Sequence, residues 1–276
     1  MTTNQKIAIA KILSSSAIFL RKIAGKGKTG TFSRNGCQWE LDLTQGIDFA
    51  IYLQGNFEPE TTRFYQSMVS EGMAVLDIGA NIGAHTLPLA KSVGKTGKVF
   101  AFEPTDYAFQ KLQRNLELNP QLKTRVSASQ VLLTSPNPTT KPSAIPSSWP
   151  LCKAPGELHP LHSGTFNSLD NAKPYTLDQW ASENQLPPID FVKLDVDGFE
   201  IDILEGATKT FQRKPKLLME FAPYIFKERG RSFQELINIL TQLQYKCQTL
   251  AGKPIPLSQQ LEKEIPEGGS INVILS

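Results

Sequence analysis

The chain has 276 residues, 40% of them hydrophobic and 20% charged, with a net charge of +3. That suffices for one large α/β domain or two small ones, and it excludes a disordered or fibrous chain. No apolar run approaches the roughly 18 residues that span a bilayer. The three scattered cysteines, Cys37, Cys152 and Cys247, exclude a disulfide scaffold and a zinc spacing and point to free thiols in a reducing, cytoplasmic compartment.

Residues 1–39 contain no Asp or Glu but hold Lys6, Lys11, Arg21, Lys22, Lys26, Lys28 and Arg34, so this segment is +7 and the remainder −4. The basic character is confined to the N-terminus, and no nucleic-acid partner is expected. Lys11 interrupts the apolar stretch, which makes a poor secretory signal. Residues 5–24 predict a helix with Ile9, Leu13, Ala17, Leu20 and Ile23 on one stripe. Such a helix either packs its stripe on the domain or a partner chain, or lies on an anionic membrane surface. The expected division is a basic helical extension at 1–32 and a catalytic domain at 33–276.

"CQWELDL" and "DFAIYLQGNFEP" read as strand or turn segments. "MAVLDIG" and "KVFAFEP" are short apolar runs with an acid near the end, as inner strands leading into a crevice have. "HTLPLAKSVG" between them reads as a helix closed by Gly94. "TDYAFQKLQRNLELNP" is a longer helix with Phe109, Leu112 and Leu116 on one face, and "RVSASQVLL" is a strand. Residues 134–174 then carry eight of the 19 prolines, which rules out a helix or an inner strand there. With Trp149, His159 and His162, this stretch reads as a partly ordered lid.

Helix "TLDQWASEN", capped by Thr176, is followed by strand "IDFVKLDV", helix "EIDILEGATKTFQ", strand "PKLLMEF" and helix "SFQELINILTQLQ". Late strands are expected near Tyr245 and at "INVILS". Repeated β-α-β with this many apolar strands predicts a doubly wound α/β sheet, mostly parallel, with helices on both faces.

Ligands of such sheets sit beyond the carboxyl ends of the strands, where Gly79, Ala80, Asn81 and Gly83 lie between the first strand and its helix. Glu103 follows Gly83 by 20 residues and ends the next strand, the place of a ribose-binding carboxylate. A dinucleotide pyrophosphate calls for G-x-G-x-x-G, but here Asn81 stands at the second glycine and Asp77 precedes the loop. An acid there suits a cationic, phosphate-free nucleoside such as S-adenosylmethionine. Asp77 is then assigned to its amino-acid end, directly or through water, and Glu103 to its ribose.

"VLDIGANIGAHT", "FAFEP" and "LQRNLELN" resemble the class I S-adenosylmethionine-dependent methyltransferases, specifically the FkbM family. "IDFVKLDVDGFEIDILEGA" followed by "LLMEFAP" is the more diagnostic part, where Lys193, Asp195, Gly198, Glu200, Gly206, Ala207 and Glu220 match the family pattern. Asp197 stands where the family commonly has Glu. The resemblance covers roughly residues 33–275 and implies a Rossmann-like, seven-stranded sheet. It also implies O-methyl transfer to a hydroxyl of a sugar, glycosylated or polyketide-type small molecule, and Glu58 near the cofactor.

Period-2 alternation puts Lys193, Asp195 and Asp197 on one side of their strand. Charges in an apolar strand are costly unless paired, so this is either a structural ion pair or a site that binds or deprotonates an acceptor. An alcohol must lose its proton, through a general base or with a divalent cation that lowers its pKa. Asp195 is the first candidate base, oriented by Lys193; Glu220 stands at the next strand end. His85 is assigned to the methionine part or to a helix start, while His159 and His162 are alternative bases from the lid. Two other readings remain: a non-catalytic scaffold that binds the nucleoside, and an NAD-linked oxidoreductase.

Overall fold

The run Ala74–Ile78 is buried at every position, as a strand covered on both faces requires. It stands at the middle of the sheet in the computed structural model, which describes residues 3–138, 142–152 and 164–276. Helix α1 (Thr3–Ile23) precedes the antiparallel pair β1 (Thr29–Arg34) and β2 (Cys37–Asp42), then α2 (Gly46–Gln54) and α3 (Pro59–Met68). The first half of the sheet is built from β3 (Ala74–Ile78), α4 (Thr86–Ser92), β4 (Lys98–Phe102), α5 (Asp106–Glu117), α6 (Pro120–Lys123) and β5 (Val126–Ser129). Strands β6 (Val131–Leu133), β7 (Ala144–Ser148), β8 (Thr165–Ser168) and β9 (Lys173–Tyr175) pair outside the main sheet. Helix α7 (Leu177–Glu183) starts at Thr176, whose side chain accepts from the Gln179 amide. The second half holds β10 (Phe191–Leu194), α8 (Glu200–Glu205), α9 (Thr208–Phe211), β11 (Lys216–Phe221), α10 (Pro223–Glu228) and α11 (Phe233–Gln242). It closes with β12 (Cys247–Thr249), β13 (Pro254–Ile255), α12 (Gln260–Glu264) and β14 (Ile271–Leu275).

The main sheet has eight strands in the order β13-β12-β14-β11-β10-β3-β4-β5. Strands β11, β10, β3, β4 and β5 run parallel, while β14 lies antiparallel between β11 and β12. The expected count of seven is exceeded by β13, a two-residue edge strand. From β3 the chain winds outward through β4 and β5, then returns to β10 on the other side, which opens a crevice between β3 and β10. Alternation along the strands feeds two cores. Leu76, Ile78, Val192 and Leu194 face one, and Val75, Phe191 and Leu218 face the other.

Four segments differ from the sequence expectation. Residues 46–54 form α2 and not a strand: Ile47, Phe49 and Ile51 alternate like a strand, yet all three are buried on a helix that Gly55 closes in the left-handed conformation. The strand expected over 125–133 breaks at Gln130 into β5 and β6. The helix expected over 200–212 breaks near Gly206, where a Cβ would stand 2.3 Å from the Thr134 carbonyl oxygen. Of the expected stripe of α1, Ala17 packs on the domain, while Ile9, Leu13, Leu20 and Ile23 are exposed. Within 134–174, β7 of the antiparallel β7–β8 pair lines the crevice through Ile145, Pro146 and Ser147, held by Asn81 Nδ2 donating to the Ser147 carbonyl at 2.9 Å. His159 and His162 lie outside the described residues.

Candidate active site

A cavity of about 770 Å³ occupies the crevice, within the roughly 300–1,000 Å³ usual for small-molecule sites. Glu58, Gly79, Ala80, Asn81, His85 and Glu103 line it, and so do Lys193 and Asp195, so most of the sequence-derived candidates converge. Asp77 and Gly83 do not reach it. Asp77 is fully buried beneath the loop, where its Oδ2 accepts from Thr86 Oγ1 at 2.6 Å and its Oδ1 has no partner. Any grip of Asp77 on a ligand therefore passes through an intervening group.

The glycines serve the protein's own packing. A Cβ on Gly79 would stand 1.9 Å from the Asp195 carbonyl oxygen, and one on Gly83 would stand 2.9 Å from Leu112 Cδ1. Both residues also have positive φ, 84° and 90°. The loop amides are likewise spent inside the chain. Gly79 and Ala80 donate to the Phe102 carbonyl at 3.0 and 2.9 Å, and Asn81 donates to Glu103 Oε2 at 2.9 Å. Ile82 donates to Asn81 Oδ1 and Gly83 to the Ala80 carbonyl, each at 2.9 Å. Phosphate-binding loops aim free amides at the anion; this loop has none to offer. Glu103 also accepts from the Thr105 amide and hydroxyl at 2.9 and 2.5 Å. Burial raises its pKa, and these donors pull against that rise.

At the other end, β10 carries Lys193 in register with Asp77 of β3, both facing the second core. Lys193 is buried, with Nζ 3.0 Å from Asp195 Oδ2 and 3.4 Å from the Gly79 carbonyl. Burial opposes its charge, yet Asp195, Asp77 and Glu58 together hold its pKa above the ordinary lysine value. The strand ends at Leu194, so the expected alternation stops and the next residues turn. Burial also works against the Asp195 charge, but Lys193 outweighs it and holds that carboxyl below the usual range. Its neighbours go the other way. Burial and Asp195 push Glu220 well above the usual value, and burial, Asp195 and Glu200 do the same to Asp197. Burial and Asp195 also raise Glu58. His85 is driven by burial to about 3, so it is neutral, and its 3.9 Å approach to Glu58 is no ion pair.

Three cavity-lining residues adopt a left-handed backbone without being glycine: Glu58 (φ 45°), Asn81 (φ 47°) and Asp197 (φ 49°). Asn and Asp tolerate this region, but Glu58 also precedes Pro59, which adds strain. Glu58 in "GNFEP" reads from sequence equally as a cofactor contact and as a turn residue, and it stands at the cavity in a left-handed conformation just ahead of α3. Sequence reasoning missed Tyr65, whose hydroxyl lies 3.3 Å from His85 Nδ1, and Ser270, which donates to Glu220 at 2.5 Å. It also gave no structural role to Glu200, which accepts from the Val196 amide at 3.0 Å and is pushed by burial up to about 7. Among the described residues, no three His, Cys, Asp or Glu side chains come together as a metal-binding set.

The methyltransferase FkbM domain family matches residues 77–247. The hexuronic acid methyltransferase AglP of Haloferax volcanii is 25% identical over 167 residues, 59% of this chain and 62% of that protein. The chain thus spans less than two thirds of that relative's length. Among solved structures, the methyltransferase FkbM from Methylobacillus flagellatus KT is 18% identical with a TM-score of 0.47, covering 82% of this chain and 50% of that one. Trm5b from Pyrococcus abyssi is 13% identical with a TM-score of 0.45, covering 90% and 55%. The chain belongs to the FkbM methyltransferase family.

Proposed function

We propose that the protein is an S-adenosylmethionine-dependent O-methyltransferase acting on a hydroxyl of a small acceptor, of the sugar, glycosylated or polyketide type. One observation carries the choice of cofactor. Every amide of the 79–83 loop is spent inside the chain, while the cavity is lined by five carboxylates against two lysines. Among the described residues, that lining repels a pyrophosphate and favours a phosphate-free cation, which argues against the NAD-linked alternative. Glu103 stands ready for the ribose, because Oε2 accepts one hydrogen bond and keeps lone-pair capacity, while Oε1 is filled by Thr105. Val131, Leu132 and Ile145 give the same end an apolar wall suited to a base. The buried, unpartnered His85 Nε2 lines the cavity and is a polar atom that a ligand would satisfy, while the unpartnered Asp77 Oδ1 would be reached through water.

When bound, the cofactor supplies an electrophilic methyl group on a sulfonium, and the displacement needs alignment above all. The chain's part is to hold the acceptor hydroxyl and take its proton. Asp195, kept ionised by Lys193, accepts the hydrogen bond that orients the hydroxyl. A carboxylate so stabilised is a weak base on its own. The raised carboxyls of Glu220 and Asp197 beside it make a group of acids that takes up the proton collectively. The relative named for a hexuronic acid supports a sugar-type acceptor. The buried free thiols of Cys37 and Cys247 support a reducing, cytoplasmic setting.

The test is calorimetric titration with S-adenosylhomocysteine, followed by single-turnover transfer from methyl-labelled cofactor to a panel of hydroxylated acceptors. Micromolar binding and label in an ether product are expected. Tight dinucleotide binding with no affinity for S-adenosylhomocysteine overturns the reading, and binding without transfer to any acceptor supports the scaffold instead.

A further inference from the structure

Helix α1 is built with its polar and apolar faces reversed relative to a docked surface helix. The side that packs on the domain carries Ser14, fully buried with Oγ donating to the Leu43 carbonyl at 2.5 Å, together with the partly buried Ala10, Ala17 and Ile18. The opposite side carries Ile9, Ile12, Leu13, Phe19, Leu20 and Ile23, from 42% to 70% exposed. At 3.6 residues per turn these six fall within roughly a third of the circumference, centred opposite Ser14. They are six of the eight exposed large hydrophobics among the described residues, so the apolar surface is concentrated on this one helix. An apolar patch of this kind, with the exposed Ser16 at its centre turned back on the Ile12 carbonyl, marks an interaction surface.

Charge selects the partner. No acid occurs among the first 39 residues, which carry seven basic side chains. Lys11 and Lys22 are exposed and lie together along one side of the apolar stripe on the helical wheel, and Lys26 follows the helix end. A second copy of the chain would bring like charges together across a symmetric contact. An anionic lipid surface meets both features at once, apolar side chains at the acyl boundary and lysines at the headgroups. Among the described residues no helix is long and apolar enough to cross a membrane, so the geometry is that of a helix lying in the interface.

We propose that the outer face of α1 docks the protein on the surface of an anionic phospholipid bilayer. The patch is continuous with the cavity. Ile9 and Leu13 belong both to the exposed stripe and to the cavity lining, where Leu53 of α2, itself 53% exposed, joins them. Docking therefore turns the mouth of the cavity towards the lipid. This goes beyond the proposed methyl transfer and does not depend on it.

Vesicle co-sedimentation of the full chain tests the proposal, with phosphatidylcholine vesicles and with vesicles containing roughly one-third phosphatidylglycerol. Binding to the anionic vesicles is expected to be at least about ten-fold tighter and to weaken with added salt. The double variant Phe19→Ser/Ile23→Ser, at exposed positions outside the cavity lining, is expected to lower that binding by about ten-fold or more. Lys22→Glu/Lys26→Glu is expected to remove the preference for anionic lipid. Absence of binding to either vesicle, or binding unchanged in both variants, overturns it. So does a dimer in light scattering that Phe19→Ser/Ile23→Ser dissociates. No readout involves methyl transfer, so its failure and the failure of the enzymatic reading are distinguishable.

Discussion

At the β4 end of the crevice one carboxylate meets donors on every side; at the β10 end several carboxylates meet one another around a single lysine. Glu103 accepts from Asn81 and twice from Thr105, and it ties the glycine loop to the next strand. Glu58, Asp195 and Asp197 share Lys193, Glu220 stands against Asp195, and three of the four have raised pKa values. The carboxylate of the first end has its hydrogen bonds made, which suits the cofactor grip proposed for it. The second end is electrostatically frustrated, which fits the proton uptake proposed there. Substitutions at the first end should therefore cost stability together with binding. At the second end they should cost turnover and spare, or even raise, stability.

The largest effect is expected at the point where the two ends touch. Gly79→Ala places a Cβ 1.9 Å from the Asp195 carbonyl oxygen at a φ of 84°, so it should destabilise by at least about 3 kcal/mol. A denaturant midpoint close to wild type would show that the two strand tips are not in contact. Asp195→Asn comes next. Turnover should fall on the order of 10²-fold, while S-adenosylhomocysteine affinity stays near wild type in the same titration. Asp77 remains in register with Lys193 as a counter-charge, so the fold survives the change. Undiminished single-turnover rates would make Asp195 a structural partner of Lys193 and nothing more.

Glu103→Ala sharpens the contrast from the other side. It removes the acceptor for three donors, so stability and cofactor affinity should fall together, each by about 1–3 kcal/mol. The pair of losses is the diagnostic, read by thermal melt and calorimetry. A loss of affinity with an unchanged melt would mean that Glu103 touches only the ligand.

How far the sequence foresaw this contrast depends on the range of the interactions involved. Strands β3, β4 and β10 are short apolar runs, and their tips carry the acids in plain view, so the crevice, Glu103, Lys193 and Asp195 could be placed from local pattern. The Thr176 cap is equally local. The rest is tertiary. The Gly79 and Ala80 amides are spent on the Phe102 carbonyl, more than 20 residues away, and nothing in "DIGANIG" announces that. Asp77 read as a ligand carboxylate because it precedes the glycines; its burial beneath them follows from register with β10. In α2, the alternation of Ile47, Phe49 and Ile51 matched a strand, and packing overrode it. The outward stripe of α1 was visible as a stripe, but which way it faced was decided by Ser14 finding the Leu43 carbonyl.

The smallest expected effect is also the one whose sign separates the two ends most clearly. Asp197 has its pKa pushed well above the usual value by burial, Asp195 and Glu200. A carboxyl whose folded pKa is raised binds its proton more tightly in the native state than in the unfolded chain. Its contribution to stability is fully present below the unfolded value of about 3.9 and is lost as pH rises through the folded value. Asp197→Asn removes that loss and leaves the φ of 49° to a residue that tolerates it. The variant should match wild type near pH 4 and become more stable as pH rises, by roughly 0.5–2 kcal/mol at neutral pH. Its turnover should fall if Asp197 belongs to the group of acids that takes up the acceptor's proton. Urea melts at several pH values check the first statement, and single-turnover rates check the second. A variant less stable than wild type at neutral pH would mean that Asp197 is compensated in the native state, and the β10 end would not be the frustrated one.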